Sequence, residues 1–281
     1  DLDMTSYALP PEQFAKLQKE LPGEVFTTRT LATYSYELNN KKAPFDNVNV
    51  RKALNLSLDR NVITDKVLGQ GQTPTYVFTP TYIEEGHLIQ QPAYSKEPMA
   101  QRNEEAIKLL EEAGYSKANP LKFSILYNTN ENHKKVAIAA ASMWKANTKG
   151  LIDVKLENQE WKTYIDSRRA GRYDAARAGW NADYNQATTF GNYFLSNSSN
   201  NTAKYANPEY DKAIAESYVA TDAEGRAKAY AKAEEILAKD FGIVPIFNYV
   251  NPRLVKPYVK GYSGKDPQDH IYLRNLYIIK H

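Results

Sequence analysis

Cysteine is absent from the 281 residues, which removes thiolate catalysis, cysteine-ligated zinc and disulfides together. No apolar run approaches the roughly 20 residues that a bilayer-crossing helix needs. A dominant charge is also lacking. Thirty-six Lys and Arg stand against 33 Asp and Glu, a formal net charge of +3, and the basic residues are dispersed without a polybasic block. Nucleic-acid binding normally requires a concentrated basic face, so that partner is disfavoured. The four histidines, at 87, 133, 270 and 281, show no metal spacing such as a pair four apart on one helix. Carboxylates such as Glu160, Asp166 and Asp183 come with no nucleophile elbow, metal pair or triad. A hydrolase is therefore not expected, and no catalytic, cofactor or metal residue is assigned. The opening "DLDMTSYALP" has neither an initiator methionine nor a signal sequence and reads as a processed chain or a fragment.

What is present is an ordinary globular composition, 42% apolar and 25% charged, with length enough for two domains or one large α/β unit. "PPEQFAKLQKEL" spaces Phe14, Leu17 and Leu21 as a short surface helix after a proline pair. "LATYSYELNN" alternates as a strand with Tyr34, Tyr36 and Leu38 on one face. Val50 to Leu68 is helix-like, with Asp59 placed to cap a second helix inside it. Residues 69–98 hold seven Gly or Pro and read as a long irregular loop, a kind that is often functional. A helix ending at Gly114, a strand over "PLKFSILYN", an alanine-rich helix from His133 to Ala146, a strand over "LIDVKLENQEW", a helix near 162–169 and a strand over "YDAARAGW" follow. Strand, helix, strand, helix, strand is the order of a wound α/β sheet. "SNSSNNTAKY" reads as loop, "TDAE" at 221–224 has capping-box spacing before a long helix, and "GIVPIFNYV" reads as a strand placed at an edge by Pro245. The tail returns to strand.

The segment "ARAGWNADYN", 176–185, carries the most chemistry. If it is extended, Arg177, Gly179, Asn181 and Asp183 share one face, while Ala176, Ala178 and Trp180 take the other, Trp180 in the core. Six residues at about 3.3 Å each set the two charged Cα atoms roughly 20 Å apart. Opposite poles flanking a floor of small residues suit an extended zwitterion such as a short peptide. Its α-ammonium would meet Asp183 and its carboxylate Arg177, while Gly179 lets its backbone approach and pair with the strand. The same spacing also fits two solvated charges near a sheet end, or Arg177 paired with Asp174.

"RNEEAIKLLEEAGY", "LENQEWKTYIDSR", "DAARAGWNADYNQATTF", "LSNSSNNTAKY", "RLVKPYVKGYSGKDP" and "LRNLYIIKH" occur in that order. Together they resemble the periplasmic oligopeptide-binding proteins of bacterial ABC importers, over the whole chain. Members are much longer, so residue 1 looks like a point near the middle and the chain like a C-terminal half. The fold implied is the C-terminal α/β lobe of a two-lobed, type II clamshell periplasmic-binding-protein fold. Residues 1–32 and 251–281 would belong to the other lobe and hinge, and 33–250 to the C-terminal lobe. The function implied is that of a non-enzymatic substrate-binding subunit that captures short peptides between the lobes and delivers them to a membrane permease. It would act as a monomer in the periplasm, or as a surface lipoprotein in a Gram-positive source. A murein-peptide or other specialised-ligand binder on the same scaffold is the alternative.

The resemblance also implies roles. Asp183 aligns with the aspartate that binds the peptide ammonium, and Arg177 and His133 with positive groups that meet carboxylates of peptides of different lengths. Gly179 and Asn181 sit where backbone groups pair with the ligand, and Trp161, Arg168 and Tyr249 line side-chain pockets and the ligand's path. Departures are Leu68 in place of a lysine, Tyr7 in place of a short amide, Ser35 in place of a tyrosine, and Ala32 and Asn181 where some relatives carry two cysteines.

Overall fold

The computed structural model describes residues 2–6 and 9–280; Tyr7 and His281 lie outside them. Helix α1 (Pro11–Glu20) opens on the proline pair. Strand β1 (Val25–Leu38) starts earlier than the alternation suggested and is buried on both faces from Leu31 onward, because helices cover both sides of the sheet. Helix α2 (Val48–Leu56) is capped by Asn47, and the Asp59 carboxylate accepts from the amides of Asn61 and Val62, ahead of a π-type run, Val62–Leu68. The expected loop holds a two-residue strand, β2 (Thr73–Pro74), and one 3₁₀ turn, Ala93–Lys96.

Helix α3 (Met99–Glu112) gives way to Gly114 at φ 91°, the left-handed residue expected there. Then come β3 (Leu121–Asn128), α4 (Glu131–Asn147), β4 (Ile152–Gln159), α5 (Trp161–Arg169) and β5 (Ala175–Asn181). After them lie α6 (Thr188–Gly191), α7 (Pro208–Val219), α8 (Ala223–Lys239), β6 (Ile243–Leu254), β7 (Val259–Lys260) and β8 (Tyr277–Ile278).

The main sheet has six strands in the order β2-β6-β1-β5-β3-β4. β3 runs parallel to β4 and β5, and β1 runs antiparallel to β5 and β6. Helix α4 carries the chain from β3 to β4, and α5 carries it back past β3 to β5. The helices take opposite faces: Trp144 of α4 packs in a core with Tyr34, Tyr36 and Ile125, whereas Tyr164 of α5 packs with Leu126, Tyr173 and Ala176. The winding direction thus reverses between β3 and β5. Crevices that hold ligands form at such a reversal, outside the carboxyl ends of the strands. An aromatic-rich second core, including Phe78, Phe190, Phe194, Tyr210 and Tyr230, fills the space around α7 and α8.

The α/β class and the crossover order are as expected, with four local differences. Asp222, not Thr221, caps α8, accepting from Gly225 N, so the capping box at 221–224 does not form. Helix α7 was not anticipated, although Asn207 caps it, Pro208 opens it, and Tyr210, Ala213, Ile214 and Ser217 give it a buried face. Pro245 lies in a strand flanked by β1 and β2, but β2 reaches only Asn248 and Phe247, so no ladder amide is required of the proline. The tail begins inside β6, which runs to Leu254, and beyond it the described residues form only the two-residue strands β7 and β8, paired with each other.

Ala32 and Asn181 face one another across β1 and β5. The amide of Ala182 donates to Leu31 C=O at 2.8 Å, which makes that pair non-hydrogen-bonded, with Cα atoms about 4.5 Å apart and side chains close. This separation lies within the range that a disulfide tolerates. The double variant Ala32→Cys/Asn181→Cys is expected to crosslink spontaneously and to gain about 2–4 kcal/mol of stability. Thermal unfolding with and without reductant checks this, and identical melting in both would contradict the register.

Candidate functional site

β3 accompanies β5 only at Ala175 and Ala176, then continues beside β4 to Asn128. From Arg177 to Asn181, β5 therefore has β1 on one side and, among the described residues, no strand on the other. The non-hydrogen-bonded pairing of Ala32 with Asn181 fixes the parity. Main-chain groups of Ala178 and Trp180 face β1, and those of Arg177, Gly179 and Asn181 face the open edge. The Arg177 carbonyl is already taken, as acceptor of the Tyr164 hydroxyl. Gly179 and Asn181 are left with outward donors and acceptors.

A cavity of about 530 Å³ lies along this edge, lined by Thr30–Ala32 of β1, by Arg177, Gly179 and Asn181, and by Trp161, Tyr249, Asn251 and the 267–269 turn. Arg177 is its cation. Its guanidinium donates to the Tyr249 hydroxyl at 2.6 Å and to Asn128 Oδ1 at 3.5 Å, and lies 5.2 Å from the centre of the Tyr34 ring. Its Nε is buried without a partner. Burial works against the charge, but the neighbouring Tyr249, Tyr34 and Tyr164 outweigh it and leave the pKa above the ordinary arginine value. Among the described residues no carboxylate lies within ion-pair distance of it; Asp174 is paired with Lys42 at 2.6 Å and accepts from Ser124 N at 3.0 Å.

A side chain at Gly179 would crowd the Arg177–Tyr249 contact. A Cβ there would lie 3.1 Å from Arg177 Nη2 and 3.1 Å from the Tyr249 hydroxyl. Trp161, first residue of α5, is 52% exposed at the cavity mouth and stacks on Tyr164, with ring centres 5.9 Å apart. Exposing so large an apolar ring is costly unless something covers it. Trp161 and Gly179 also bound a second cavity of about 200 Å³, with Arg168 and Trp180 in its walls. Trp180, expected in the core, is half-buried at its margin and packs edge-on against Tyr193, 4.9 Å between centres. Arg168 is held from behind. Its guanidinium pairs with Glu37 at 2.9 Å and donates to the Tyr193 and Thr202 hydroxyls, which in turn donate to Glu37.

Asp183 lies two residues past the end of β5. Its amide donates to the Thr189 hydroxyl at 3.2 Å, the same hydroxyl contacts its carboxylate at 3.3 Å, and Gln268 donates to its carbonyl at 3.1 Å. No described Lys, Arg or His pairs with it. It is exposed, and the strand's regular alternation stops before it. The described residues thus leave this side chain unenclosed.

His133 needs a larger correction. It sits in the first turn of α4 with its ring 5.6 Å from that of Tyr34, on the ring that Arg177 also approaches. Burial, then repulsion from Arg177, lowers its pKa from 6.5 to about 3. At neutral pH it is an uncharged imidazole, so it does not supply the second positive group expected of it.

Two of the sequence departures are inward-facing. Leu68 is packed in the core with Tyr34 and Phe247, and Ser35 is fully buried in β1. Sequence reasoning missed Tyr164, Asn128, Thr189 and Gln268. Tyr164 alone carried a signal, three residues after Trp161 and so on the same helix face. Among the described residues no group of three His, Asp or Glu is arranged to hold a metal ion, and no helix is long and apolar enough to cross a membrane.

Residues 1–202 match the family described as "Bacterial extracellular solute-binding proteins, family 5 Middle". The chain is 96% identical over 281 residues to the periplasmic oligopeptide-binding protein OppA of Haemophilus influenzae, covering all of this chain and 52% of that protein. It is 43% identical to the periplasmic murein peptide-binding protein MppA of Escherichia coli, again covering 52% of it. The crystal structure of Haemophilus influenzae OppA in complex with RPPGFSPFR superposes with a TM-score of 0.93 at 95% identity, over 100% of this chain and 55% of that one. The chain spans about half the length of these relatives. The chain belongs to the family 5 bacterial extracellular solute-binding proteins.

Proposed function

We propose that this chain forms one side of the ligand cleft of a periplasmic substrate-binding subunit, which captures short peptides and hands them to the membrane permease of an ABC importer. The observation that carries this reading is the open edge of β5: two outward-facing main-chain positions, Gly179 and Asn181, between an arginine and an aspartate that, among the described residues, have no partner of opposite charge. Pairing through main chain recognises a peptide without reading its side chains, and the flanking cavities leave room for varied ones. The peptide bound in the OppA crystal structure supports the ligand class. Nothing in the site suggests bond cleavage, and the relatives are binding proteins.

The lobe division at residues 32/33 and 250/251 belongs to the same proposal. The ladder between β1 and β6 changes register between Arg29 and Thr33, where three residues of β1 stand opposite Tyr249 alone. A break of that kind where two strands cross between lobes allows each half of the ladder its own orientation. In the whole protein the second lobe would enclose Asp183, raising its desolvation cost until an ammonium arrives. Murein-peptide specialisation draws no support from Leu68 or Ser35, since both point into packed interior.

Three outcomes are expected of the full-length protein. N-acetylation of a tripeptide weakens binding about 10- to 100-fold by calorimetry, as loss of a charge-assisted hydrogen bond does, and Asp183→Asn abolishes the difference; equal affinity for both peptides in the unmodified protein removes Asp183 from its role. Gly179→Ala forces the Arg177–Tyr249 contact apart and lowers peptide affinity about 10-fold or more, without an equivalent drop in melting temperature. His133 gives a pH signature. Its folded pKa of about 3 lies below the ordinary 6.5, so as pH falls below 6.5 the unfolded chain gains a proton that the folded chain refuses, and stability declines toward pH 3. His133→Gln should flatten that part of a urea-midpoint profile; an unchanged slope would contradict the burial argument.

A further inference from the structure

Helix α5 carries Trp161, Tyr164 and Arg168 on one face, and the three act on one another. Arg168 is locked to Glu37 of β1 at 2.9 Å, its guanidinium carbon lies 5.7 Å from the centre of the Tyr164 ring, and Trp161 stacks on that ring at 5.9 Å. The Tyr164 side chain is fully buried. Held in this way, its hydroxyl occupies the Arg177 carbonyl, the first outward-facing acceptor of β5 after β3 departs. The next outward groups, at Gly179 and Asn181, have no such cap.

We infer that Tyr164 is a positioning residue that sets the register and ends the ladder of a bound peptide: it closes the open edge at Arg177, so that a ligand strand pairs with Asn181 and Gly179 and goes no further. This rests on the peptide reading above. With the ligand's amino end toward Asp183, its chain runs antiparallel to β5. Its amide hydrogens can then meet the carbonyls of Asn181 and Gly179, two ligand residues apart. Two residues further on, the corresponding acceptor is already used. Only the amino-terminal part of a ligand is held by main chain, and the remainder is free to vary in length and path.

The test is a backbone N-methylation scan of an alanine hexapeptide, each variant measured by calorimetry against the full-length protein and against Tyr164→Phe, which keeps the ring and removes only the hydroxyl. In the unaltered protein, two positions separated by one residue should each lose about fivefold or more in affinity, the worth of one hydrogen bond. In Tyr164→Phe a third sensitive position should appear two residues nearer the carboxyl end, as the Arg177 carbonyl becomes available. A stability defect alone would not create a new position in the scan, and Tyr164→Leu should give the same added position if the hydroxyl is what matters. Identical profiles in protein and variant, or a third position already present in the unaltered protein, would overturn the stop while leaving the peptide reading intact. A scan with no sensitive position would instead overturn the main-chain pairing on which both depend.

Discussion

The site depends on one departure: β3 leaves β5 after Ala176. A sheet interior normally satisfies every main-chain donor and acceptor, and an uncovered edge is a liability that folds usually blunt. Here the edge is short, it begins where the winding direction reverses, and it is bounded by a hydroxyl at Arg177 and by the end of the strand at Asn181. The two helices that follow β3 and β4 start beside it, bringing the first turn of α4 and Trp161 of α5 to the same crevice. Topology, more than any single side chain, opens the groove.

Electrostatics then distinguishes the two ends of that groove. Elsewhere in the fold, buried arginines are held mainly by main-chain carbonyls or by a carboxylate. Arg51 and Arg60 donate mainly to main-chain carbonyls, and Arg168 and Arg253 pair with Glu37 and Asp269. Among the described residues Arg177 has only neutral side-chain acceptors, and burial, reinforced by its positive field, keeps His133 uncharged. One cation and one carboxylate, each lacking an opposite partner among the described residues, define a direction along β5. That is what an extended zwitterion needs in order to bind one way round.

Much of this was legible in the sequence because it rests on local rules. Alternation placed Arg177, Gly179 and Asn181 on one face, Asp59 and Gly114 marked element ends through their own backbone chemistry, and the order of strands and helices gave the wound sheet. What was not legible depends on contacts between distant segments. Nothing near Glu37 announces Arg168, 131 positions later, and nothing near Arg177 announces that Tyr249 will share its guanidinium or that Tyr164 will cap its carbonyl. The charge state of His133 followed from burial against Tyr34 and Arg177, which spacing does not encode. Helix α7 was lost to the polar run preceding it, although its cap and its i, i+3, i+4 pattern were present.

The most direct test of the open-edge account is site-resolved amide exchange in the full-length protein, with and without a saturating tripeptide. Ala178 and Trp180 donate to β1 already and should exchange slowly in both states, whereas Gly179 and Asn181 should exchange fast in the free protein and become protected on binding. Unchanged exchange at Gly179 and Asn181 with peptide bound would show that the ligand does not join the sheet there, and the account would fail.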